Sequence, residues 1–217
     1  AIGKPLIPIP ILRWSWGQRL DQTLLDLQVE AYERVLRSSP AAVAMIASGD
    51  VLLRFAPEIP PLPPSDVVML GMRVEPETAS HFGVFFCSRE RPGQLEFFLQ
   101  KPSPRRIEEL AAQYDFLVDT GMWLFGERAA EALLRRCGWI AGESRFAGGE
   151  AQPYELYAQF GLSLGRNAAA PDAELQALSA AVVDLPDPEF YHLGASRQLI
   201  DSVWALQNRT PRQTCVS

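Results

Sequence analysis

The 217 residues predict an α/β fold, a mostly parallel mixed sheet flanked by helices. Three observations predict it. Short apolar runs alternate with stretches of helical periodicity, the order expected of βα units. Ala41–Ala47 is nearly all apolar and runs into Ser48-Gly49-Asp50, the pattern of a strand buried on both faces. Asp66–Val74 and Phe116–Phe125 repeat that pattern. No internal repeat or second boundary interrupts the series, and the length suits one large domain with a substantial core.

In chain order, Ile2–Pro10 carries three prolines, too many for a helix or a central strand, and reads as an extended segment presenting Lys4. After Trp14 and Trp16, the spacing of Leu20, Leu24, Leu27, Ala31 and Val35 predicts a helix over about Asp21 to Arg37. Five of the eight residues from Pro57 to Pro64 are proline, a stiff surface connection. Phe82–Ser88 and Leu95–Gln100 flank a short charged link containing Pro-Gly, which predicts an antiparallel pair. Ser103-Pro104 opens a helix to about Gln113, with serine as cap and proline in the first turn. A helix over Glu127–Arg136 follows, its inner face expected at Ala130, Leu133, Leu134 and Cys137. Gly138–Gly149 reads as a mobile loop that matches no phosphate-binding fingerprint. Pro153–Leu164 is expected as helix, Ala180–Leu185 as strand and Ser196–Gln207 as the last helix.

Composition narrows the function classes. The net charge of -6 argues against non-specific binding to nucleic acid or anionic membrane while permitting a local cationic pocket. No apolar run is long enough to cross a bilayer and no signal peptide opens the chain, so a cytoplasmic setting is expected. Cys87, Cys137 and Cys215 lack CxxC spacing, which predicts neither a zinc site nor a disulfide framework. Among 20 basic residues only Lys4 and Lys101 are lysine, and both precede proline. Arginine is a planar fork and lysine a compact point charge, so a chain rich in arginine can keep lysine where one ammonium must reach one oxygen.

Four stretches carry polar residues that a buried sheet does not need. They are Gly3-Lys4-Pro5, Gly49-Asp50-Val51, His81-Phe82-Gly83 with Gln100-Lys101-Pro102, and Asp119-Thr120-Gly121. Ligands of open α/β sheets bind outside the carboxyl ends of strands, where Asp50 is expected to sit and where an acid can hold a cation. A second reading stays open, in which Asp50 caps a short helical turn over Val51–Phe55. Lys4 is equally open between a site and a solvated terminus. His81 and His192 are each open between a site role and a satisfied half-buried histidine.

These stretches, in this order, resemble the sugar-phosphate nucleotidyltransferases, whose hallmarks are a Gly-rich loop leading to KPLxP, then GD, YGV, EKP and NAG segments. GKPLIPIP, SGDV, SHFGVF, FLQKPS and EFYHLGAS are more closely similar to the L-fucose-1-phosphate guanylyltransferase family, which includes bifunctional L-fucokinase/GDP-L-fucose pyrophosphorylases. The resemblance covers nearly the whole chain. It implies a Rossmann-like nucleotidyltransferase domain over 1–217 that transfers GMP from GTP to L-fucose 1-phosphate, giving GDP-L-fucose and pyrophosphate. By the same resemblance Asp50 would hold Mg²⁺ and Lys4 would lie against the nucleotide phosphates or the departing pyrophosphate. Lys101 would bind the sugar phosphate, and Gly83 and Asp119 would line the sugar pocket, glycine leaving room for a ligand ring. His81 and Gln100 would adjoin that pocket.

Three residues depart from the family pattern. Gln100 stands where relatives commonly have glutamate, Asp119 where many have asparagine, and His192 where an aspartate completes the metal site. Neutral histidine is a poor ligand for Mg²⁺, so His192 is expected to hydrogen-bond phosphate or sugar instead. The family's Gly-rich loop, whose N–H groups cradle phosphate, would precede Lys4, and the chain begins three residues before that lysine. The expectation is a fragment that lacks the loop and any downstream domains, weak or inactive alone, from a parent that can carry a fused kinase. Two alternatives stand beside it: a nucleotide-sugar-binding module without turnover, and a nucleotidyltransferase for another sugar 1-phosphate.

Overall fold

The computed structural model describes residues 10–15, 18–23, 33, 35, 37–39, 41–55, 59–193 and 196–207. They fall in two compact units, Ser38–Ser48 with Phe55–Pro188, and Ala1–Arg37 with Gly49–Arg54 and Glu189–Ser217.

The larger unit is built on one mixed sheet. Its strands are β3 (Ala44–Ala47), β5 (Val67–Met72), β6 (Gly83–Ser88), β7 (Leu95–Gln100), β8 (Tyr114–Phe125) and β11 (Ala180–Asp184). The order is β11-β5-β8-β6-β7, with β3 also paired to β8. An isolated bridge between Gln94 and Ala181 brings the two edges together, so the sheet curls. Strand direction departs from expectation. Only β11–β5 is parallel among the described pairs of this sheet, and the other four are antiparallel. An apolar run reports that both faces can be buried, but direction is set by the connections, and that between β6 and β7 is too short for a crossover.

β3 is a second correction. Its sequence predicts burial on both faces, yet it alternates between exposed and half-buried, with Ile46 40% exposed and Val43, just before the strand, 64%. Among the described residues it pairs with β8 alone, so it lies at an edge. β5 and most of β8 behave as their sequences predict and are buried throughout.

Helices α1 (Pro76–Ala79), α2 (Pro104–Ala111), α3 (Glu127–Arg136) and α4 (Ala173–Gln176) belong to this unit. Ser103 caps α2 as expected, its Oγ accepting from the Arg106 N–H at 3.3 Å. In α3 the buried residues are Ala129 and Ala132, with Ala130 and Leu133 packed beside them and Leu134 44% exposed. The inner face is therefore rotated from the expected one, because two alanines let the helix approach the aromatic core. That core centres on Trp123, with Phe85 and Phe98 at ring distances of 5.8 and 5.7 Å. Gly138–Gly149 is not a simple loop: β9 (Trp139–Ile140) and β10 (Arg145–Phe146) form a small hairpin. The expected helix over Pro153–Leu164 is a π turn at Leu156–Phe160 followed by a 3-10 turn at Gly161–Ser163. A Cβ on Gly161 would stand 2.9 Å from the Phe98 ring and 3.0 Å from that of Trp123, so the core dictates this tight approach.

In the smaller unit, β1 (Pro10–Ser15) and β2 (Gln18–Thr23) form an antiparallel hairpin. The expected helix therefore does not begin at Asp21, since Asp21–Thr23 is strand, whereas residues 33, 35 and 37 are helical. β4 (Val51–Arg54) pairs antiparallel with β12 (Glu189–His192), a strand the sequence reading missed. The last helix, α5 (Ser196–Gln207), has the predicted bounds.

The corrected face of α3 makes an expected outcome plain. Leu134→Ala should change unfolding free energy by less than about 0.5 kcal/mol, as for an exposed position. Ala132→Leu should cost about 1–3 kcal/mol by overpacking. Urea denaturation of the two variants checks this ranking.

Candidate functional site

In the larger unit the third and fourth polar stretches come to neighbouring strands. Gly83 pairs directly with Gln100, and the Lys101 N–H donates to the Phe82 carbonyl at 2.9 Å. Val84 pairs with Val118, one residue before Asp119, on the other side of β6. His81, Gly83, Gln100, Lys101 and Asp119 are therefore carried at one end of three neighbouring strands. Lys101 is exposed and its φ is +46°, a left-handed conformation that costs a non-glycine residue energy. The following Pro102 makes the helical region still less favourable for it. Such backbone strain collects at functional positions.

The need for glycine at 83 has a different cause from the expected one. A Cβ there would stand 2.5 Å from the ring of the buried Phe98, so the protein's own core, with no ligand involved, excludes a side chain. The Gln100 amide nitrogen would lie 3.4 Å from the same Cβ. His81 is exposed, which removes the half-buried structural reading for it.

Asp119 opens a bulge. Between the Met69–Trp123 and Gly71–Asp119 pairs, Leu70 alone faces Thr120, Gly121 and Met122. Asp119 Oδ1 accepts the Gly121 N–H at 2.8 Å and the Trp123 indole N–H at 3.0 Å, and Thr120 Oγ1 donates to the Leu70 carbonyl at 2.8 Å. Gly121 has φ +76°, so the extra residues turn through a conformation glycine adopts freely. Sequence reasoning found the triplet but not the bulge. The available signal was a turn tripeptide inside an apolar run.

The smaller unit brings together two other expected site residues. Asp50 lies in the turn before β4, which is strand, so the helix-cap reading of Asp50 falls. Its carboxylate is 51% exposed and Oδ2 lies 3.3 Å from His192 Nε2. The β4–β12 register, Val51 opposite His192, creates this proximity, and the Leu193 N–H donates to the Asp50 carbonyl at 2.7 Å. A neutral imidazole can donate Nε2–H to the carboxylate and so orient it. Lys4 lies outside the described residues. Among the described residues no three His, Cys, Asp or Glu side chains gather as a metal-binding group. A single exposed carboxylate still fits Mg²⁺, which takes one or two carboxylates and completes its shell with phosphate oxygens and water.

No family model matches the chain. It is 42% identical over 208 residues to the L-fucokinase/L-fucose-1-P guanylyltransferase of Bacteroides fragilis. The chain is a homologue of a segment of that protein. The match covers 95% of this chain and 21% of the relative. Among solved structures, the chain is similar to a mannose-1-phosphate geranyltransferase from Thermus thermophilus (TM-score 0.40, 20% identity, 74% of this chain and 41% of that one). It is also similar to a UTP-bound UGPase from Acinetobacter baumannii (TM-score 0.46, 11% identity, 82% and 55%). A third likeness is to the inositol-1-phosphate CTP transferase from T. maritima (TM-score 0.40, 14% identity, 82% and 60%). No helix among the described residues is long and apolar enough to cross a membrane.

Electrostatics give Asp119 a pH signature. Burial pushes its carboxyl up to about 7, against the opposing pull of the Gly121 and Trp123 hydrogen bonds. The unfolded chain releases this proton near 3.8, so between the two values the folded state binds more protons and stability falls as pH rises. Asp119→Asn should therefore match the native protein near pH 4 and exceed it at pH 8 by at most about 4 kcal/mol. Urea unfolding at both pH values measures the difference.

Proposed function

We propose that this chain is part of an enzyme that transfers GMP from GTP to L-fucose 1-phosphate, giving GDP-L-fucose and pyrophosphate. The 42% identity over 95% of the chain carries this reading. GTP, Mg²⁺, L-fucose 1-phosphate and a cytoplasmic setting all belong to the proposal, and so does any fused kinase in the full-length protein. Phosphoryl-group transfers of this kind need positioning and charge neutralisation more than covalent catalysis.

Lys101 supplies one ammonium to the phosphate of the incoming sugar. Its left-handed backbone, tied to Phe82 through the Lys101 N–H, gives the side chain a fixed origin at the end of β7. Gln100 and His81 offer hydrogen-bonding groups to the sugar beside Gly83. Asp50, steadied by His192, is the carboxylate that would hold Mg²⁺ together with nucleotide phosphate oxygens. Bound there, the ion would neutralise phosphate charge. Lys4 is assigned to the nucleotide phosphates or pyrophosphate by resemblance alone.

The deciding experiment is pyrophosphate release by the full-length protein given GTP, Mg²⁺ and L-fucose 1-phosphate. Release is expected to need the sugar phosphate and to fall on the order of a hundredfold in Asp50→Asn with folding intact. No release with any sugar 1-phosphate from folded protein rejects the enzyme reading.

Lys101→Gly separates strain from function. Glycine accepts φ +46° without penalty, so the variant should be as stable as the native chain or more stable by up to about 1 kcal/mol. Its KM for the sugar phosphate should nevertheless rise by about tenfold or more. A stable variant with unchanged KM would remove Lys101 from the site.

A further inference from the structure

Asp119 Oδ1 accepts two hydrogen bonds from inside the fold. The residue is 7% exposed, and the donors it receives come from two different places. The Trp123 indole belongs to the centre of the aromatic core, and the Gly121 N–H belongs to the left-handed residue of the bulge. Gly121 in turn accepts the Ser48 N–H at its carbonyl, at 2.8 Å. A Cβ on Gly121 would stand 2.7 Å from that of Ser48, so bulge and strand end are in direct contact. Ser48 follows β3 and is the residue from which the chain enters Gly49-Asp50.

We propose that Asp119 is a positioning residue and not a ligand for the sugar: by tying the Gly121 bulge to the Trp123 indole, it sets where the carboxyl end of β3 stands. The core side of this chain is rigid. Trp123 is fully buried, with Phe85, Phe98, Phe125 and Tyr157 rings within 6.5 Å of its own. A carboxyl anchored on such a ring can hold a backbone turn in a conformation that β8 would otherwise straighten. The Ser48 amide then has a fixed acceptor, and the end of β3 is held. The functional part of this inference rests on the proposed guanylyl transfer, whereas its structural part does not.

Amide hydrogen exchange at Ser48, read beside steady-state kinetics of the full-length protein, tests it. In Asp119→Ala the Ser48 amide should exchange about tenfold faster or more, while the amides of Val84–Phe86 keep their rates. The same variant should lose kcat by about tenfold, with KM for L-fucose 1-phosphate within about twofold of the native value. Asp119→Asn retains an Oδ1 acceptor and should restore both Ser48 protection and kcat. If Asp119→Ala does not fold, Gly121→Ala breaks the same contact from its other side and should show the same exchange and the same kcat loss. Unchanged Ser48 exchange in whichever of these two variants folds overturns the proposal. Asp119→Asn with Ser48 protected but KM raised about tenfold also overturns it, since the carboxylate would then be a sugar ligand. Absence of turnover in the native protein would reject the proposed reaction instead, and the exchange comparison would still decide what Asp119 does.

Discussion

β8 is bonded on both sides by three other strands, and the larger unit depends on how it meets those obligations. Along one side it pairs with β5. Along the other it pairs first with β6, over residues 114–118, and then with β3, over 122–125. Between them lies the interval 119–121, where buried backbone groups would have to find other partners or be left unpaired at a cost of about 1–3 kcal/mol each. The Asp119 carboxylate accepts the Gly121 N–H, the Gly121 carbonyl accepts the Ser48 N–H, and the Thr120 hydroxyl donates to the Leu70 carbonyl of β5. A polar triplet in a buried strand is therefore part of how the strand is built.

The candidate site inherits its geometry from the same sheet. Because β6 lies between β7 and β8, His81-Phe82-Gly83, Gln100-Lys101 and Asp119 are brought to one end of the strands although nearly forty residues separate the first from the last. The aromatic core reaches that end through Phe98, which leaves no room for a side chain at Gly83. Packing and site thus share residues, and a glycine that looks like a concession to a ligand is a concession to a phenylalanine. Lys101 is different. It holds a left-handed conformation that glycine would accept freely, as Ser144 and Asp187 do elsewhere in the unit.

Elements whose cues are local and physical were legible. Ser103-Pro104 announces α2, Pro-Gly in a short link announces the antiparallel β6–β7 pair, and the 3.6-residue period announces α3 and α5. Elements whose identity depends on a distant partner were not. β12 is four residues of ordinary β-propensity that become a strand because β4 lies opposite, and that pairing also turned Val51–Arg54 from a possible helical turn into a strand. The rotation of α3 is not legible in the sequence because Ala129 and Leu134 are both apolar, and only the core cluster that takes in Ala129 and Ala132 decides which fits.

By itself the amino-acid order determined that the chain would be an α/β protein and where the six strands of its larger sheet and the helices α2, α3 and α5 would fall. Spacing and residue type suffice for that, since they act through local backbone preference and amphipathic period. Tertiary structure alone decided the strand directions, the edge position of β3, the meeting of His192 with Asp50 and the inward commitment of Asp119. Each of those depends on which residues face one another across hydrogen-bonded strands, and register is a property of the pair that neither strand's sequence contains.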